Sequence, residues 1–336
     1  MLVSKQNETR NKIILLASVI GTIALLHYLT PTEPHAYHKL HIILRKFYFL
    51  PPVMAAVWFG LRGAILTTAV VSAFFLLHAL RDWPGNYMEQ ANQIGELVGF
   101  WVAGLISGGL FDRQRSLLQK LAKANEETLL GLVSALDLRE HTTRLHSQRV
   151  REYTELIADS LGVDEKMRRE IGLGALLHDV GKIAVPDQIL LKPGKLTDQE
   201  WDEMRKHPEA GYRIVKRIGF LKDAAEIVYA HHEKFNGGGY PRGLQGNEIP
   251  LGARMFMVAD VYDALTSERP YHSPVSYEEA AAEIKRLSGS HFDPVVVDRF
   301  MAIAPEELQE IAGRYLDADQ DKLADRPPRP SLFSTS

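Results

Sequence analysis

Residues 176–211 read LLHDVGKIAVPDQILLKPGKLTDQEWDEMRKHPEAG, and two features within them decide the fold. His178 and Asp179 are adjacent metal-binding residues, and Thr197 with Glu200 forms a capping-box pattern that starts a helix carrying Trp201, Met204 and His207. Outward from this stretch, His146 lies upstream, and the pair His231-His232 and then Asp260 lie downstream. The intervals run from roughly two dozen to three dozen residues, which a helix of about 10–15 residues and its connection fills. One ligand-bearing position per helix is therefore expected. His146, Val150, Tyr153 and Ile157 share a helical face, as do Ile171, Ala175 and His178. Ile227, Val228 and His231 repeat the theme, Phe256 sits one turn before Asp260, and Ser276 with Glu279 marks another helix start. Alternation of β-branched residues is nearly absent, so the fold class is all-α.

A lone histidine on an apolar face is ordinarily a satisfied core residue. The joint pattern says otherwise. Adjacent helical residues point about 100° apart, so both members of His178-Asp179 and of His231-His232 reach a common centre only if that centre is wide. Seven imidazole and carboxylate groups exceed the needs of one tetrahedral zinc and suit two metals sharing a carboxylate, an arrangement that hydrolyses phosphate esters. Asp179 is the candidate bridge, because a carboxylate in the central pair offers one oxygen to each ion. Lys182, one turn after His178, would hold charge developing on phosphate; its other reading is a solvated helix-end lysine. Asn236-Gly237-Gly238-Gly239-Tyr240-Pro241 is a loop whose glycines permit a tight turn, with Tyr240 as a base-stacking or partner-contact surface. The chain has no cysteine, which excludes disulfides, thiolate zinc sites and iron–sulfur clusters.

The net charge of −3 conceals a division. Residues 1–111 carry +3 and the remainder −6, so bulk nucleic-acid binding, which needs a basic face, is excluded. Four apolar stretches, Ile13–Leu29, Phe47–Leu61, Ala64–Leu80 and Leu97–Phe111, predict a four-helix transmembrane region over residues 1–111. Tyr28, Tyr48, Trp58 and Trp83 stand near the ends of these stretches, where interface anchors belong. Lys5, Arg10 and Lys12 before the first stretch, and Arg113, Arg115, Lys120 and Lys123 after the fourth, assign both ends to the cytoplasm. Lys39, Arg45 and Lys46 then fall outside, against the rule. The same outer loop holds His35, His38 and His41 at helical spacing, read as solvated histidines of an interfacial helix or as a sensory metal or pH site.

Residues 112–136 form a helical linker in which Leu118, Leu121, Asn125, Thr128, Leu132 and Ala135 mark a short coiled-coil seam. This favours a homodimer. Residues 137–313 make up the ligand-bearing domain, and the polar, Pro-rich stretch 314–336 is expected to be a disordered tail.

The segments HTTRLHSQRV, LLHDVGKIAVPDQILLKPGKLTDQEWDEMRKHPEAG, HHEKFNGGGYPRGLQGNEIPLGARMFMVADVYDALTSERPY and HFDP, within Asp137 to Ile303, resemble the HD-GYP branch of the HD-domain phosphohydrolases. The resemblance implies a bacterial enzyme that hydrolyses cyclic di-GMP to linear pGpG or GMP, and the apolar stretches place it in the cytoplasmic membrane. It implies that His146, His178, Asp179, His207, His231, His232 and Asp260 bind the metals. It also implies that Arg269, with Lys182 and the Gly239-Tyr240-Pro241 triplet, meets substrate. Iron is the first choice of metal and manganese the second. Three positions depart from the family pattern. Thr142 stands where three-metal members place a Glu, which favours two metals over three, although Glu140 is near. Asn236 replaces an Asp, and His272 replaces a basic residue. Diguanylate cyclases of the GGDEF type are candidate partners. The competing readings are hydrolysis of another cyclic dinucleotide such as cyclic GMP–AMP, and a non-catalytic receptor or scaffold. A transporter reading is weaker, because the apolar stretches lack a buried ionic pathway.

Overall fold

The structure, a computed structural model, describes residues 2–30, 35–82, 87–140, 145–268 and 273–324. Among them there is no strand, and two isolated bridges, Asn236 with Gln245 and Ser288 with Phe292, are the whole of the β-pairing. The all-α expectation is met. The helices are α1 (Leu2–Leu29), α2 (His35–Lys46), α3 (Leu50–Asp82), α4 (Tyr87–Glu140), α5 (His146–Leu161), α6 (Glu165–Leu176) and α7 (Asp187–Leu190). They continue with α8 (Asp198–Met204), α9 (His207–Val215), α10 (Lys222–Ala230), α11 (Leu251–Thr266), α12 (Tyr277–Arg286), α13 (Pro294–Met301) and α14 (Pro305–Ala324). Two compact units result, Met1–Asn125 and Glu126–Ser336.

In the first unit three helical stretches are long and apolar enough to cross a membrane: Gln6–Leu29, Lys39–Leu80 and Ala91–Arg139. The expected count of four is thereby replaced. Phe47–Leu61 and Ala64–Leu80 fall within one apolar stretch that bends sharply at Gly60 (φ 68°, ψ −153°). The limb of α3 before that bend rises only about 15 Å, roughly half of a hydrocarbon layer about 30 Å thick. Glycine is required at the bend, since a Cβ there would collide with the Asp112 carboxylate, which accepts from the Leu61 N–H at 3.0 Å. The limbs fold back on each other, bringing the rings of Tyr48 and Phe75 to 5.9 Å. Tyr48, expected as an interface anchor, is fully buried. Trp83 lies outside the described residues. Arg45 and Lys46, the charges that broke the orientation rule, both pair with Glu96, at 2.9 and 2.6 Å.

The second unit has two apolar clusters. Val150, Tyr153 and Ile157 of α5 pack with Phe256 and Ala259 of α11 and with Ile284, Val296, Phe300 and Leu308. Leu176, Val215, Leu221 and Val228 form the other cluster with Leu129 and Val133 from the end of α4. Each such fully buried aliphatic side chain contributes about 1.5–3 kcal/mol. The two expected capping boxes are present, at Thr197 with Glu200 and at Ser276 with Glu279. Of the seam residues, Leu118, Leu121 and Leu132 are exposed, whereas Leu129, Val133 and Leu136 are the buried face. The tail also differs from expectation: helix α14 continues through residue 314 to Ala324, after which residues 325–336 lie outside the described residues. Tyr315 donates to Glu152 at 2.5 Å and Arg314 pairs with the same carboxylate at 2.7 Å, which ties this helix to α5.

Candidate metal centre

Six of the seven expected ligands stand at helix ends, where the sequence spacing placed them within helices. His146 opens α5 immediately after Leu145, a non-glycine residue held at φ 67°. His178 and Asp179 occupy the turn between α6 and a 3-10 turn at Val180–Ala184. The expected helix running from Trp201 to His207 is broken: α8 stops at Met204, and His207 opens α9 ahead of Pro208, whose ring cannot continue a helix. His231 and His232 follow the end of α10, and Asp260 lies inside α11. Leaving the helix at Leu177 (φ −101°, ψ 6°) and Asp179 (φ −94°, ψ 4°) removes the 100° divergence and lets both members of the pair face one centre. The turn approaches α9 closely. A Cβ on Gly181 would collide with the carbonyl oxygen of His207 and the backbone of Gly211.

The seven side chains gather into two groups, His146 with His178 and Asp260, and Asp179 with His207, His231 and His232. Within each group the candidate ligand atoms lie within 4.8 Å of one another. Asp179 joins them. Its Oδ2 is 2.9 Å from His178 Nε2 and 2.7 Å from Lys182 Nζ, while its Oδ1 is 3.4 Å from His207 Nε2 and 3.8 Å from His231 Nε2.

The tautomers follow from the backbone. Nδ1 of His178, His207 and His231 lies 2.8, 2.7 and 2.6 Å from the carbonyl oxygens of Ala175, Met204 and Val228. A carbonyl only accepts, so each Nδ1 carries the proton and each Nε2 presents a lone pair. His207 Nε2 and His231 Nε2 then face each other at 3.1 Å, and the buried Asp179 Oδ1 beside them has no hydrogen-bond partner. Burial holds His207 below its ordinary pKa, and burial reinforced by His232 holds His231 well below it, so neither ring carries the missing proton. Three acceptors converge, and among the described residues nothing donates to them. A cation satisfies all three, and an all-nitrogen-and-oxygen set of this size fits two of them.

On the other side, His146 Nδ1 donates to Asp263 Oδ2 at 2.7 Å and its Nε2 stands 3.4 Å from Asp260 Oδ1. Burial disfavours the imidazolium, but hydrogen bonds to the Asp260 and Asp263 carboxylates prevail and push His146 up to about 9. A proton and a cation therefore compete for this Nε2, and metal binding releases the proton. Burial opposes ionisation of Asp263, yet His146 and Arg149 hold it down at about 2. Arg149 donates to Asp263 through Nε at 2.7 Å and a terminal nitrogen at 3.1 Å. Asp263 and Arg149 are absent from the sequence reading. The available signal was position, since Asp263 lies one turn after Asp260 and Arg149 one turn after His146.

The Gly239-Tyr240-Pro241 loop borders the second group. The Tyr240 ring lies 4.7 Å from that of His232 and 5.9 Å from the Arg205 guanidinium. Glu233, fully buried and also missed, accepts the backbone N–H groups of Arg242 at 2.8 Å and Leu244 at 3.0 Å and fixes the loop. The Tyr240–Pro241 peptide is cis. Arg269, Thr142, His272 and the Glu140 side chain lie outside the described residues.

Residues 132–296 match the family described as "HD domain". Among curated proteins, a "Cyclic di-GMP phosphodiesterase" of Thermotoga maritima is 40% identical over 213 residues, which are 60% of this chain and 58% of that protein. A "Cyclic di-GMP phosphodiesterase response regulator" of Xanthomonas campestris is 39% identical over 211 residues, 62% of this chain and 56% of that protein. A "3'3'-cGAMP-specific phosphodiesterase 2" of Vibrio cholerae is 40% identical over 204 residues, 58% of this chain and 39% of that protein. The chain thus spans between about two fifths and three fifths of the length of these relatives.

Proposed function

We propose that the HD domain of this chain is a metal-dependent phosphodiesterase that hydrolyses a cyclic dinucleotide, cyclic di-GMP foremost. The observation that carries this reading is the division of Asp179, whose two oxygens face separate sets of imidazoles. His146, His178, Asp260 and Asp179 would hold one divalent ion, and Asp179, His207, His231 and His232 the other. Iron is the first choice and manganese the second. The ions, when bound, supply a water that ionises near neutral pH and positive charge against the phosphate. The remaining work belongs to the chain. The three backbone carbonyls fix the imidazole tautomers, and Asp263 orients His146. Lys182, whose Nζ stands 2.7 Å from Asp179, brings a cation to the phosphoryl oxygens. Tyr240 offers a face for a base to stack on, and Arg269 would contact phosphate or guanine.

The chain is membrane-anchored through residues 1–111, with the catalytic domain in the cytoplasm. Support comes from three apolar helical stretches, the second of which turns back at Gly60 and so leaves on the side it entered, and from the basic residues flanking the first and last. Leu118 and Leu121 are exposed on α4, as a seam awaiting a second copy would be, which supports a homodimer. Cyclic GMP–AMP is the second substrate reading, favoured by the name of the Vibrio cholerae relative. The test is turnover by the full chain in lipid nanodiscs, reconstituted anaerobically with Fe(II) or Mn(II) and offered each dinucleotide. Release of pGpG or GMP from cyclic di-GMP is expected. Binding without turnover of either substrate would establish a receptor and overturn the reading.

A further inference from the structure

The first unit holds another group of imidazoles, for which the phosphodiesterase has no use. His27 lies near the end of α1, His41 in α2 and His78 near the end of α3, and they are 0%, 0% and 2% exposed. Sequence spacing grouped His41 with His35 and His38, whose side chains lie outside the described residues. The structure instead brings it to histidines of two other helices. One ring nitrogen from each lies within 4.8 Å of the others, and Nε2 of His27 and Nε2 of His41 are 3.1 Å apart. The ring centroids are separated by 3.9 Å for His27 and His78, 4.3 Å for His27 and His41, and 4.9 Å for His41 and His78. Tyr48 and Phe75 close the cluster from the side, with ring centroids 5.4 and 6.4 Å from His27. The Tyr28 hydroxyl is committed to the Phe74 carbonyl at 3.0 Å.

Burying three imidazoles among aromatic rings is costly unless their nitrogens are satisfied. Nitrogens bound at about 2.0–2.1 Å to a tetrahedral zinc stand about 3.4 Å apart. The spacing here, from 3.1 Å up to the 4.8 Å limit, brackets that value. The group contains no carboxylate, and the chain contains no cysteine, so ligation is by neutral imidazole alone. Imidazole suits zinc, copper and nickel over the hard cations.

We propose that His27, His41 and His78 form a binding site for a borderline transition-metal ion, with Zn(II) as its simplest occupant. The site is separate from the metal pair of the HD domain and ties α1, α2 and α3 together. On the membrane orientation read from flanking charge, all three histidines lie toward the end opposite the cytoplasm. An ion there would be drawn from outside the cell, as the input of a receptor is.

The test uses the full chain in nanodiscs carrying Asp179→Ala, which weakens the HD-domain centre and leaves the three histidines intact. Elemental analysis after Zn(II) loading and desalting should find one retained equivalent, and His27→Gln or His78→Gln should remove it. Titrating the same Asp179→Ala chain with Co(II) should give the visible d–d bands of a nitrogen-ligated, near-tetrahedral ion. No retained equivalent, or one that persists undiminished in both histidine variants, would overturn the site. Absence of the Co(II) bands would overturn it even where a histidine variant fails to fold. None of these readouts depends on phosphodiester turnover, so the two proposals fail independently.

Discussion

The histidine cluster of residues 146–260 and that of residues 27–78 are both buried, yet their surroundings differ in kind. In the second unit three imidazoles are pinned through Nδ1 to backbone carbonyls, and Asp179 and Asp260 add negative charge. In the first unit His27 and His78 stack, His41 lies tilted against both, and their group includes no acid. Access differs too. The side chains of Asp179 and Asp260 are 19% and 31% exposed, against 2% or less for all three histidines of the other cluster. Acids beside metals neutralise two dications while leaving an open edge that a phosphodiester can reach. A sealed neutral pocket admits an ion and excludes a dinucleotide. On the two proposals, catalysis and ion capture call for different shells around the same side chain.

The harshest way to break this contrast is Asp179→Ala, which removes the oxygen atoms facing both groups. Turnover should fall by at least ~10³-fold, on the order of 4 kcal/mol of barrier, with loss of HD-domain metal on elemental analysis and an unchanged far-UV circular dichroism spectrum. Near-normal rates would show that the two groups are not joined through this residue. Lys182→Met should lower kcat by about 10²-fold with metal content retained. A loss of metal in that variant would mean that the lysine positions Asp179 and does not act on substrate. Asp263→Asn tests the shell behind His146 and should weaken metal binding by about 10–100-fold in a chelator competition. Unchanged affinity would leave the His146–Asp263 contact with a purely structural role. Gly239→Ala carries the smallest effect. A Cβ there would meet the backbone of Glu233 and Lys234, so unfolding by heat or urea should register a loss of about 1–3 kcal/mol. Wild-type stability would show that the loop shifts freely.

The sequence made much of the second unit legible, because its candidate ligands announce themselves by residue type and interval. Helix class and both capping boxes were readable from local pattern. What could not be read is convergence across long separations. His146 meets Asp263 from 117 residues away, and His27 meets His41 from 14. Local spacing had instead offered His35 and His38 as neighbours of His41, since those share a helical period. Hydropathy found four apolar runs and had no means of seeing that Gly60 would fold two of them into one bent stretch. Helix ends at Met204 and Ala230 were equally hidden, although Pro208 gave a warning of the first.

Anomalous diffraction from crystals of the full chain loaded with Mn(II) addresses the central claim most directly. Two peaks are expected beside Asp179, one on the side of His146, His178 and Asp260 and the other on the side of His207, His231 and His232. A single peak, or none within bonding distance of Asp179, would contradict a bridged metal pair and the phosphodiesterase built upon it.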